Sequence, residues 1–113
     1  AGAAVDAVEH KQRTALMFAA QGGHDLCALT LLEADATIDA TNVGGFTALM
    51  IAAIRGEIGI MRLLIKNGAD PGRATEKGLT AMDLARTYDQ KKAERLLEIV
   101  SKVNAAQAER TST

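Results

Sequence analysis

A period of 33 residues limits what this chain can fold into more than any other feature. Thr14, Thr47 and Thr80 each stand 33 residues from the next. TALM at 14–17 returns as TALM at 47–50 and as TAMD at 80–83. Ala19-Ala20 returns as Ala52-Ala53, and Leu31-Leu32 as Leu64-Ile65. The clearest copy is GGFTALMIAAIRGEIGIMRLLIKNGAD, from Gly44 to Asp70. It begins with a Gly-rich turn and a Thr whose hydroxyl can accept a bond from an orphaned backbone N–H at a helix start. Leu49, Ala52 and Ala53 then fall on one helical face. Gly56 breaks the pattern, and Ile60, Met61, Leu64 and Ile65 resume it on a second helix. Gly68 can end that helix in the left-handed conformation that needs no Cβ. Two helices this short cannot bury such stripes against each other alone, so the copies must stack.

The pattern resembles the ankyrin repeat, which reads roughly D-x-x-G-x-T-P-L-H-x-A-A-x-x-G-H, then an apolar helix, then G-A-D. The resemblance covers nearly everything from Gly2 to about Val103. It implies an all-α fold, an ankyrin-repeat solenoid of stacked helix-turn-helix units joined by β-hairpin-like loops. In this register residues 1–108 form the repeat domain. Residues 1–8 end a preceding repeat, 9–41 are the first repeat and 42–74 the second. Residues 75–108 are a C-terminal capping repeat with an extended helix, and 109–113 a polar, frayed tail.

Taken in order, Gly2–Ala7 aligns with Asp35–Ala40, the segment joining the first and second repeats, so the sequence is expected to open inside a repeat. Gln12 occupies the hairpin-tip position that is Gly45 and Gly78 in the later copies. Asp35 sits where Gly68 ends the corresponding helix, and Asp tolerates the left-handed conformation better than most residues. The usual Pro after the cap is Ala15, Ala48 and Ala81. The usual His at the fourth motif position, which ties neighbouring hairpins in ankyrin repeats, is Met17, Met50 and Asp83. Adjacent units are therefore expected to depend more on apolar packing. In the third copy Glu94 and Glu98 replace Met61 and Ile65, the polar face a last layer needs. Ala93, Leu96, Leu97, Val100 and Val103 keep a helical period, which predicts a helix from about Asp89 or Gln90 to beyond Lys102. The first repeat is expected to be the weak end, with Leu16 and Leu31 on a face that no upstream layer covers.

Composition bears on the choice of function. With 48% apolar residues but only 3% aromatics, the core must come from Ala, Leu, Ile and Met. A formal net charge of −1 gives no global field for nucleic acid or an anionic membrane, and no aromatics interleave with basic residues to stack bases. No apolar run approaches the roughly 18 residues of a membrane-spanning helix. The single cysteine, Cys27, excludes an internal disulfide. His24 and Cys27 lie three residues apart on a helix, but two ligands do not make a zinc site. The resemblance makes His24 structural and Cys27 a small core residue. Gly22-Gly23 and Gly44-Gly45 belong to no phosphate-binding motif, and no nucleophile has a plausible His and carboxylate pair. No catalytic residue, metal or cofactor is implied.

What the resemblance implies instead is a non-enzymatic module that binds a protein partner through hairpin tips and the concave face of the first helices. Carried over by register, the partner-binding positions are Lys11, Arg13 and Gln21 in the first unit, with His10 beside them. In the second they are Val43, Phe46, Ile54 and Arg55, and in the third Glu76, Lys77, Leu79 and Tyr88, with Thr87 beside them. Phe46 and Leu79 either offer themselves to a partner or fold back, half-buried, onto neighbouring hairpins. Ile54 and Arg55 are expected to point away from the layers. The alternative is a structural subunit held in a large multiprotein assembly through its N-terminal layer and through Val100 and Val103 on the long last helix. A regulator that occludes an enzyme's active site is a third form of the same binding role.

Overall fold

The computed structural model describes residues 14–111, with side chains placed as far as Ala106. Among the described residues stand six helices, α1 (Ala15–Gly22), α2 (Asp25–Glu33), α3 (Ala48–Arg55), α4 (Ile58–Lys66), α5 (Ala81–Thr87) and α6 (Lys91–Thr111). The alignment of Gly2–Ala7, the Gln12 tip and the candidates His10, Lys11 and Arg13 lie outside the described residues.

Each first helix starts the same way. Thr14, Thr47 and Thr80 hold extended backbone, and their hydroxyls accept the N–H of Met17 at 3.2 Å, Met50 at 3.3 Å and Asp83 at 3.3 Å. In two copies the residue three places on also reaches back. The Thr47 N–H donates to Met50 Sδ at 3.4 Å, and the Thr80 N–H to Asp83 Oδ2 at 3.0 Å. The Met and Asp standing in for His thus close a reciprocal cap on their own helix start.

The helices form two rows. α1 packs on α3 and α3 on α5, α2 packs on α4 and α4 on α6, and each first helix packs on its own second. Between the rows lies one continuous core containing Leu16, Met17, Leu49, Met50, Ile60, Met61, Leu64, Leu84 and Leu97, with fully buried Ala20, Ala52, Ala53 and Ala85 among them. Alanine at these crossings lets thin layers approach closely, which is how a core with so few aromatics reaches close packing. Polar ties add to the stack. Gln90 Nε2 donates to the Ile54 carbonyl at 2.9 Å, and the Asp70 N–H donates to Asp39 Oδ1 at 3.2 Å.

The left-handed residues also repeat in register. Asp35 (φ 63°) matches Gly68 (φ 97°). Asp89 (φ 54°) matches Gly23 (φ 72°) and Gly56 (φ 71°). The last helix therefore starts later than its periodicity predicts, at Lys91, because Asp89 belongs to the turn. It also runs on to Thr111, into the segment read as a polar tail.

Two expectations for the first layer are corrected. Leu16 is buried between α1 and its neighbours, whereas Leu31 is only half-buried. Cys27 is exposed rather than a core residue, although Ile60 and Ala93, its counterparts in later layers, are fully buried. The difference is one of position in the stack. Ile60 lies beneath a preceding helix pair, and Cys27 faces outward from the first described one.

Candidate functional site

The loops before α3 and α5 are tight hairpins built on one residue each. In the first, the Asn42 N–H donates to the Phe46 carbonyl at 3.0 Å, and Asn42 Oδ1 accepts from Gly44 and Phe46 at 3.1 and 3.0 Å. In the second, the Thr75 N–H donates to the Leu79 carbonyl at 2.8 Å, and the Thr75 hydroxyl accepts from Lys77 and Leu79 at 3.3 and 3.2 Å. Ala74 and Thr80 add an antiparallel bridge. The Glu76 N–H crosses to the Gly44 carbonyl at 3.1 Å and so fixes one tip against the next. Gly45 (φ 83°) is needed twice here, for its backbone angle and because a Cβ would come within 2.9 Å of the Glu76 nitrogen.

These tips form one wall of a groove, and the exposed sides and C-terminal ends of α1, α3 and α5 form its floor and far wall. Two depressions adjoin along it. The first, about 390 Å³, is lined by Gln21, Asn42, Val43, Phe46, Ile51, Ile54 and Arg55. The second, about 300 Å³, is lined by Gly44, Phe46, Thr75, Glu76, Lys77, Leu79, Leu84, Thr87 and Tyr88. Phe46 belongs to both. All nine described candidates therefore line the groove, Gln21, Val43, Ile54 and Arg55 in one half and Glu76, Lys77, Leu79 and Tyr88 in the other, with Phe46 between.

They are not equally available. Val43 is 63% exposed and Tyr88 54%, whereas Phe46 is half-buried and packs on the core. Leu79 is more open, at 36%. Ile54 is likewise half-buried against the core, so it does not simply point away from the layers, while Arg55 is exposed. Among the described residues the Arg55 guanidinium, the Glu76 carboxylate and the Lys77 ammonium make no hydrogen bond or ion pair. Their charge is free to meet a ligand. Residues not foreseen on the lining include Asn42, Ile51, Thr75 and Leu84. The signal for Asn42 and Thr75 was present, since both are short polar residues 33 apart at a turn start.

Elsewhere the chemistry is sparse. Asp83 has its carboxyl held below the ordinary value of 3.8 by hydrogen bonds from the Thr80 backbone and hydroxyl, a consequence of capping. Among the described residues no group of three or more His, Cys, Asp or Glu could hold a metal, and no helix is long and apolar enough to cross a membrane. A depression of about 680 Å³ lies on the outer face of α1 and α2, lined by Phe18, Leu26, Cys27 and Leu31 among others. Of its counterpart residues in the second layer, Ile60 and Leu64 are fully buried in the core and Ile51 is partly buried against it.

A family model described as ankyrin repeats (3 copies) matches residues 1–75 and again 39–107. Among curated proteins, palmitoyltransferase AKR1 of Lachancea kluyveri is 38% identical over 72% of this chain and 11% of its own length. The mouse nuclear factor NF-kappa-B p105 subunit is 47% identical over 63% of this chain and 8% of its own length. Mouse ankyrin repeat family A protein 2 is 40% identical over 59% of this chain and 22% of its own length. The chain thus spans only about a tenth of the palmitoyltransferases it matches, and the activity in their name is said of those whole proteins.

Proposed function

This chain belongs to the ankyrin-repeat family, and from that we propose that it is a non-enzymatic module that binds a protein partner through its hairpin tips and the concave face of its first helices. Repeats of this kind serve protein interaction and carry no catalytic machinery of their own. One observation supports the concave face above all. Nine candidate residues drawn from three repeats line a single groove that is apolar at its centre, around Phe46, and carries unpaired charge at its edges. A few aromatic, aliphatic and Arg anchors of this sort dominate typical hot spots.

A second reading is favoured by α6. It leaves Ile99 (52%) and Val103 (49%) exposed, which suits a subunit fixed in a larger assembly through that helix. A photo-reactive residue at Val43 or at Val103, followed by identification of the adducts, separates the two. Once the partner is in hand, Ile54→Ala with Arg55→Ala is expected to weaken binding by about 2 kcal/mol or more, while Val100→Asp leaves it unchanged. A thermal melt of the double variant controls for the packing of Ile54. If only Val100→Asp releases the partner, the concave-face reading is wrong.

A further inference from the structure

The groove's hairpin wall offers a partner's backbone no open N–H donor from Gly44 to Thr47 or from Thr75 to Thr80. The N–H groups of Gly44 and Phe46 go to Asn42 Oδ1, and that of Gly45 goes to the Asn42 carbonyl at 3.0 Å. In the next tip Lys77 and Leu79 bond the Thr75 hydroxyl, Gly78 bonds its carbonyl at 2.8 Å, and Glu76 bonds Gly44 of the layer before. Thr47 and Thr80 donate to Met50 and Asp83, and Thr75 donates to Leu79. Every backbone N–H from Gly44 to Thr47 and from Thr75 to Thr80 thus has an acceptor within the chain. A ligand that adds as a strand needs open donors and acceptors along such an edge. An extended ligand without that pairing would hold its own unpaired backbone groups against Val43, Phe46 and Ile54, which costs free energy. A helix satisfies its backbone internally.

The dimensions agree. α3, which carries Ile54 and Arg55 on the groove, has eight residues and at 1.5 Å per residue is about 12 Å long, comparable with the roughly 10–12 Å width of a helix with its side chains. Phe46 and Leu79 stand one layer apart, about 8–10 Å for packed helices. Side chains seven residues apart on a ligand helix are about 10.5 Å apart along its axis. At the far wall the unpaired Arg55 guanidinium presents parallel N–H donors suited to a carboxylate.

Resting on the concave-face reading, we propose that the occupant of this groove is a protein segment folded as an amphipathic helix. It lies across the layers, sets apolar side chains at i and i+7 over Phe46 and Leu79, and turns an acidic residue toward Arg55.

Two display libraries selected against the full chain test this. One is patterned with apolar residues at i, i+3, i+4 and i+7 and random flanks, and the other carries regularly spaced prolines that forbid a helix. Binders are expected from the first, each with an Asp or Glu on one flank. Their affinity should fall about thirtyfold with Arg55→Glu and recover when the peptide's acid becomes Lys. A proline at the peptide centre should abolish binding. Groove binders from the proline library overturn the helix. Helical binders that lose affinity with Val43→Asp but not with Arg55→Glu overturn the carboxylate; in either case the groove reading stands. Binders indifferent to both substitutions, or no binders at all, overturn the groove reading and this inference with it.

Discussion

Leu26 and Lys92 occupy the same register position at opposite ends of the stack, and they mark how differently its two outer layers meet their surroundings. Leu26 is 78% exposed, with Phe18 and the exposed Cys27 beside it on the outer face of the first layer. In the last layer the corresponding helix carries Lys91, Lys92, Arg95 and Glu98, and Glu94 pairs with Arg86 at 3.0 Å. A polar outer face stays in water at little cost, whereas an apolar one gains by being covered. The same contrast appears in the hairpins. A Cβ on Gly45 would meet the backbone of the next tip, but a Cβ on Gly78 would meet nothing within 4 Å. Similar turns are thus held by different constraints, since the Gly45 tip packs on a described neighbour and the Gly78 tip does not.

The sharpest way to break this comparison is to remove the same leucine from each layer. Leu64 is fully buried and Leu97 nearly so, while Leu31 lines the open outer depression. Leu64→Ala should destabilise the fold by about 3 kcal/mol, the usual range for a buried leucine. Leu31→Ala should cost about 1 kcal/mol, because much of its surface already meets solvent. Urea denaturation of the two variants provides the measurement. Equal losses would mean that the first layer is as well covered as the second.

A smaller effect separates the caps of the second and third layers. Met50 and Asp83 close the same reciprocal cap, but only Asp83 titrates. Its folded pKa lies below 3.8 because Thr80 donates two hydrogen bonds to the carboxylate. A depressed carboxyl contributes stability that is fully present above its unfolded value and is lost as pH falls through the folded one. Stability should therefore decline below about pH 4, and Asp83→Asn should flatten that part of the profile. Asp83 is partly exposed, so the change is modest. A profile unaltered by the substitution would assign the acid sensitivity to other carboxylates.

How much of this was legible follows from where each property resides. The helix starts were readable because the Thr cap and the apolar stripe are local and recur at 33. That the nine described candidates share one side of the stack was readable, because register alone assigns them to it. Asp89 reads as a possible helix start because the polar run after it contains no glycine, although its alignment with Gly23 and Gly56 points to a turn. Met50 as a cap acceptor was not readable, since a thioether is a weak acceptor that only proximity reveals. The exposure of Cys27 and the half-burial of Ile54 depend on what lies above and beside them. Residue type says little about that.

The smallest effect concerns Asp35, the first layer's counterpart of Gly68. Both residues are left-handed, and at Gly68 a Cβ would meet nothing within 4 Å, so crowding does not distinguish the positions. Among the described residues the Asp35 carboxylate makes no hydrogen bond or ion pair to offset its backbone angle. An L-residue other than glycine loses about 1–2 kcal/mol in this conformation, with Asp at the low end. Glycine returns part of that gain through the greater freedom of its unfolded chain. Asp35→Gly should therefore stabilise the protein by about 0.5–1 kcal/mol, and Gly68→Asp should destabilise it by a similar amount. Paired urea titrations would show the two midpoints moving in opposite directions. A midpoint that falls with Asp35→Gly would mean that the carboxylate supports the first layer in some other way, and that the two helix ends are not interchangeable.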